Sequence, residues 1–223
     1  MSEPMSGGAY TAARAAALSG VPGRTVHYWA QNKHLLPSVS DAPRLYSFAD
    51  LLALRVLYWL RQPKHALDHE IPASSMPRIQ RALKEIHRLG LDWIEDGQST
   101  LAVTLDGNVA INAPGLPPQR PDGQLFRADV IDVLAPFEGL EGVGGPDLRR
   151  PRPLLRILPR KISGAPHIEG SRLPTESVHA LAKRGYSVGE IVSIYPFASV
   201  EAVSNSIDLE RQLHGDVDLQ VAA

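Results

Sequence analysis

The chain has 223 residues, 43% hydrophobic and 21% charged, with 23 Lys and Arg against 24 Asp and Glu and no cysteine. That is room for two or three small cores of ordinary composition, and it excludes disulfides, thiolate metal sites and cysteine nucleophiles. No apolar run approaches the roughly 20 residues that span a bilayer, and MSEPMSGGAY lacks the basic and apolar regions of a signal peptide, so a cytoplasmic location is expected.

Residues 1–9 carry no pattern and are expected to be disordered. Residues 10–62 read as helix, tight turn, second helix, wing and third helix. Thr11 caps a short Ala-rich helix over 12–18, and Ser19-Gly20 stops it. Pro22 stands where the second helix begins, a position whose missing N–H costs nothing. On that helix Val26, Trp29 and Ala30 share an inward face, leaving Arg24, Thr25, His27 and Tyr28 outside as donors suited to phosphates and base edges. The third helix ends near Arg61, because Gln62-Pro63 breaks it.

The middle section, 63–112, is expected to hold a helix over 77–89 with Ile79, Leu83 and Ile86 on one face, then a hairpin. The hairpin signal is Asp106-Gly107 between two apolar runs in TLAVTLDGNVAI. Residues 113–161 are rich in Pro and Gly and read as a linker or extended arm, interrupted by a short apolar piece at 130–134. Residues 162–213 form the last folded unit. A β arm turns on Gly164 and Gly170, and three short helices follow: one over 175–183, one opened by a Ser187–Glu190 capping box, and one capped by Ser199. An acidic tail, 214–223, closes the chain. The fold class is therefore mainly α with small β elements: an N-terminal winged helix-turn-helix, a middle helix plus hairpin, and a C-terminal three-helix, helix-turn-helix-like bundle.

Charge is distributed unevenly along these sections. Residues 1–62 carry six Lys and Arg against three acids, 63–145 carry seven against twelve, 146–161 six against one, and 162–223 four against eight. By charge, the winged unit and the arm suit a polyanion. For the arm three readings stand side by side: solvated linker, partner contact, or a track along DNA phosphates.

Residues 10–61 resemble the MerR-type winged helix-turn-helix. AAALSGVPGRTVHYW matches its first reading helices, HLLPS its wing entry and PRLYSFADL its wing exit. The resemblance implies that Arg24, Tyr28 and Arg44 contact DNA backbone, that Thr25 and His27 lie on the groove-facing helix, and that Tyr46 joins the DNA-binding set. His27 stands where the family usually has arginine, Trp29 where it usually has tyrosine, and the long coiled-coil helix of standard members is missing. Residues 159–213 resemble a family of small helical antitoxin domains opened by Pro166, Ile168, Gly170 and Arg172 and followed by GYSVGEIVSIYP. That resemblance implies a VapB-type antitoxin that inhibits a PIN-like ribonuclease toxin and represses its own operon as a homodimer on operator DNA. The toxin-binding candidates are Arg149, Arg150, Arg152, Arg156, Arg160 and Arg172, whose planar forks suit the carboxylates of a nuclease metal site. The alternative is a stand-alone MerR-like regulator with an effector or partner site in the middle section.

Catalysis finds little support. His65 and His69, flanked by Asp68 and Glu70, have the i, i+4 spacing of a helical Zn²⁺ pair but lack the glutamate base of an H-E-x-x-H site. GLEGVGGPD lacks the strand and helix that flank a phosphate loop, and no nucleophile motif is present. No enzyme activity, metal, cofactor or membrane association is expected.

Overall fold

Thr11 opens the first helix as expected, its hydroxyl accepting from Arg14 N at 3.3 Å. The structure, a computed structural model, describes residues 7–62, 64–66, 69–71, 73–89, 101–103, 109–111, 129–131, 134–138 and 144–215. The first unit runs β1 (Tyr10–Thr11), α1 (Ala12–Ser19), α2 (Gly23–Gln31), β2 (Ser40–Asp41), β3 (Arg44–Tyr46) and α3 (Phe48–Leu60). Gly20 ends α1 in the left-handed conformation at φ 69°, where a side chain would be strained. The wing is a three-stranded sheet in the order β1-β3-β2, with Asp41 opposite Arg44 and Tyr10 opposite Tyr46.

In the middle section, β4 (Lys64–Ala66) and β5 (His69–Ile71) pair antiparallel, with His65 opposite Glu70 and Ala66 opposite His69. A hairpin therefore replaces the helix on which His65 and His69 would have shared a face. The expected amphipathic helix is α4 (Met76–Leu89), with Ile79 buried. The expected hairpin pairs β6 (Leu101–Val103) with β7 (Val109–Ile111), and β8 (Asp129–Ile131) adds to the other edge of β6. Its Asp106-Gly107 turn, the side chains of Leu83 and Ile86, and most of 113–143 lie outside the described residues. Two short strands, β9 (Phe137–Glu138) and β10 (Gly144–Gly145), pair within the stretch expected to be an arm.

The arm itself departs from expectation. Residues 144–161 are folded rather than a free linker. β11 (Leu155–Arg156) pairs with β12 (His167–Ile168), Leu155 opposite Ile168. Leu155 on this strand and Ile157 just beyond its end enter different cores. Leu155 joins Ile168, Val178, Ile191, Val203 and Leu209, whereas Ile157 joins the core of the winged unit with Leu18, Trp29, Phe48 and Leu57. Leu213 packs against both cores. Each buried side chain contributes about 1.5–3 kcal/mol. Proline and glycine content signalled a linker; burial of Leu148, Leu155 and Ile157 overrides it.

The C-terminal unit is α5 (Thr175–Lys183), α6 (Val188–Ile194) and α7 (Val200–His214). The Ser187–Glu190 capping box is complete, and Ser199 caps α7 through Ala202 N. Val178, Ile191, Val203 and Ile207 are buried, as the spacing predicts. The third helix spans 15 residues and is longer than the short helix expected. The chain is thus mostly helical with small sheets, and among the described residues no helix is long and apolar enough to cross a membrane.

Candidate nucleic-acid interface

The candidate surface is built on α2. Pro22 precedes it, and its carbonyl accepts from Thr25 N at 2.8 Å and Val26 N at 3.1 Å, closing the first turn. Val26, Trp29 and Ala30 are buried, and Trp29 meets Tyr58 edge-on at 6.5 Å between ring centroids. That anchoring turns Arg24, His27 and Tyr28 outward, with Thr25 half-buried. Tyr28 is 56% exposed, and its ring lies 6.1 Å from that of His34. Gly23 has open space around it at the start of the helix.

The wing presents Arg44, half-buried on β3 across from Asp41. Its root is fixed by a polar knot. Asp50 Oδ2 accepts from Ser38 N at 2.9 Å, Ser38 Oγ at 2.7 Å and Ser47 N at 2.8 Å, while Ser47 Oγ accepts from Asp50 N at 3.2 Å. A carboxylate in the first turn of α3 is also favoured by the helix dipole. Ser47-x-x-Asp50 is a capping-box pattern readable in the sequence; its link to Ser38 is not.

Tyr46 is a correction. Its side chain is fully buried among the core residues of the first unit, and its hydroxyl finds no partner there. Burial raises that hydroxyl's pKa, with Arg44 opposing and Asp50 adding to the rise. Tyr46 pairs with the equally buried Tyr10 at the end of β3, so it belongs to the core and is not presented at the surface.

Two cations of the winged unit are also turned inward. Arg55 is buried on α3 and donates to Leu18 O at 2.9 Å, Ser19 O at 3.3 Å, Ala135 O at 2.7 Å and Pro146 O. Two of these carbonyls are at the C-terminal end of α1, where the helix dipole favours a cation. Gly145 sits so close that a Cβ there would lie 2.7 Å from Arg55 Nη2 and 2.8 Å from Gly20 N. Arg14 is held by Glu210, Nη1 to Oε2 at 2.6 Å and Nη2 to Oε1 at 2.7 Å. Of the six Lys and Arg in residues 1–62, the surface cations are therefore Arg24, Lys33, Arg44 and Arg61.

Glu210 is fully buried on α7, where Thr175 Oγ1 also donates to it and His214 Nδ1 lies 3.7 Å from its carboxylate. Burial alone would raise its pKa; the hydrogen bonds and charge of Arg14, then Thr175 and His214, outweigh burial and hold it below the ordinary value. A second link runs from Tyr10 Oη to Gly164 O at 2.8 Å, with Ala9 N to Ser163 O at 3.0 Å beside it. Gly164 adopts φ 76°, and a Cβ there would collide with the Tyr10 hydroxyl, so glycine is required twice over.

The arginines of the arm mostly meet acids of this same chain. Arg152 donates to Asp208 Oδ2 and Gln212 Oε1, both at 2.6 Å; Arg156 lies 2.7 Å and Arg150 3.9 Å from Glu169 Oε1; Arg149 Nε is 3.8 Å from Asp147. These four are thus engaged within the fold rather than presented on a free arm. The segment rich in basic residues lies beside the acidic last unit, and the two neutralise each other. Arg160 and Arg172 are exposed, and the turn at 168–173 is held by Ser171, which donates to Ile168 O at 2.9 Å.

Residues 10–69 match the MerR HTH family regulatory protein family. The N-terminal unit is a MerR-type helix-turn-helix. In that MerR-type unit Arg24, His27, Tyr28 and Arg44 project from α2 and the wing, while Tyr46 and Arg55 face inward. Residues 156–208 match a second family, described as Protein of unknown function (DUF433), which spans β11 to most of α7. No curated protein and no solved structure matches the chain.

Proposed function

We propose that this protein is a cytoplasmic transcription repressor that binds its own operator as a dimer through the MerR-type unit and uses its C-terminal unit as an antitoxin against a PIN-like ribonuclease. The observation that carries the DNA half is the outward set Arg24, His27 and Tyr28, held by the buried Val26, Trp29 and Ala30 behind it, with half-buried Arg44 on the wing. Phosphate-directed cations beside groups able to reach base edges are what a reading helix needs. The antitoxin half rests on the Pro166, Ile168, Gly170 and Arg172 opening of the C-terminal unit. With Arg149, Arg150, Arg152 and Arg156 engaged internally, the arm residues remaining for a toxin are Arg160 and, beyond it, Arg172. The protein acts by binding alone, without catalysis or cofactor.

The test is co-expression with the product of the adjacent small gene, followed by size-exclusion chromatography and an RNA-cleavage assay. A stable complex with suppressed cleavage is expected. Unrestrained cleavage, with the chain still shifting promoter DNA, would reduce the protein to a transcription regulator. One observation favours that second reading: a cavity of about 500 Å³ where Pro136 and residues 144–153 meet α7, lined by Gly144, Arg150, Arg152 and Gln212 among others. Its volume suits a small effector with acceptor groups.

A further inference from the structure

We infer that the face formed by α6 and its two flanking turns is where a second copy of this chain docks, the two copies related by a two-fold axis. This rests on the reading of the protein as a dimeric DNA reader and names the surface that makes it one. Tyr186 is 44% exposed just before α6; Ile194 at its end, Phe197 in the next turn and Val200 at the start of α7 are 46%, 63% and 60% exposed. Among the described residues, no other stretch places three large exposed apolar side chains within seven positions. The Phe197 ring is already set against Tyr195, centroids 6.0 Å apart. Side chains of this size at these exposures leave on the order of 400 Å² of apolar surface in water, about half of the roughly 800 Å² that each partner contributes to a standard interface. That is the apolar share such interfaces have, with a polar rim supplying the rest.

Charge selects the occupant. Exposed Lys183 and Arg184 lie at the Tyr186 end of the face, and exposed Glu201 lies at the Val200 end. The remaining acid on α6, Glu190, is engaged by Ser187 N and Oγ at 2.8 and 2.7 Å. A two-fold axis near Ile194 brings the basic end of one copy to the acidic end of the other, so the surface is complementary to itself, as an isologous contact requires. A helix-turn-helix reader gains its second half-site from such a pairing.

The experiment is sedimentation of the full-length chain without DNA, beside promoter-DNA binding by the same preparations. At about 100 μM the wild type is expected at twice its 24.2 kDa chain mass. Phe197→Ser with Val200→Ser should raise the dimer Kd at least tenfold, with the far-UV circular dichroism of the wild type. Arg184→Glu and Glu201→Lys, both surface changes, should each weaken the dimer, and mixing the two variants should restore a mixed dimer. A monomeric wild type, or a dimer indifferent to all these changes, overturns the inference while DNA binding stands or falls separately. A dimer that weakens as expected but ignores promoter DNA would keep the surface and remove the reader.

Discussion

Arg14 and Glu210 are 196 positions apart in the chain and form a two-pronged ion pair, at 2.6 and 2.7 Å, between the first helix of the DNA-reading unit and the last helix of the C-terminal unit. The carboxylate has no exposure to water. Removing one partner of such a pair leaves an uncompensated buried charge, and costs about 3–5 kcal/mol. Arg14→Ala should therefore lower stability in urea by about 3 kcal/mol, and Arg14→Ala with Glu210→Gln should recover part of it. A loss below about 0.5 kcal/mol for the single variant would show that the pair does not join the units.

The same carboxylate sets an acid limit. Its folded pKa lies below the ordinary 4.5. Its contribution is thus complete above pH 4.5 and is lost as the pH falls through the folded value. His167 behaves alike on a higher scale. Burial lowers its pKa from 6.5, with Lys161 adding to the decrease and the Ala165 carbonyl opposing it. The neutral ring is favoured, and its contribution is complete above pH 6.5 and declines as the pH falls through the folded value. Denaturation midpoints measured from pH 7 to pH 3 should fall in the wild type, and less steeply below pH 4.5 in Glu210→Gln.

Arg55 is the strut of the molecule's middle. Four backbone carbonyls depend on its guanidinium, and hydrogen bonds from a charged donor contribute about 1.5–3 kcal/mol each. Arg55→Met keeps the stem and deletes the donors. It should cost at least about 3 kcal/mol and increase proteolysis within 134–148, read by limited digestion with a glutamate-specific protease, which can cut after Glu138. An unchanged digestion pattern would remove Arg55 from that role.

Much of this fold was legible locally. The Thr11 cap, the Gly20 stop, the inward Val26, Trp29 and Ala30, the Ser187–Glu190 box and the span of α5 all follow from neighbours within four positions. The outward set on α2 came from the same periodicity. What was not legible depends on distance. Nothing near Arg14 announces Glu210, and nothing near Arg55 announces Pro146. The Pro and Gly content of the arm points to a linker, whereas its six Lys and Arg against one acid, followed by a unit with four against eight, are what let it fold onto that unit. A three-residue strand gives too little alternation to fix which face of β3 is inward; pairing with Tyr10 decides it for Tyr46.

Tyr46 offers a simple check of that correction. Its hydroxyl is buried without a partner, so Tyr46→Phe should leave DNA affinity unchanged and stability equal or slightly higher. Loss of DNA affinity in this variant would return Tyr46 to the interface.

The most direct measurement is the salt dependence of promoter-DNA binding for the wild type, Arg24→Ala, Arg44→Ala and Arg152→Gln. Each phosphate contact adds about one to the slope of log K against log salt. Arg24→Ala and Arg44→Ala should each lower that slope by about one, across specific and non-specific sequences alike. Arg152→Gln, whose guanidinium meets Asp208 and Gln212 within the fold, should leave it unchanged. Slopes unaffected by Arg24 and Arg44 but reduced by Arg152 would place the DNA on the arm and contradict the assignment of reading to α2 and its wing.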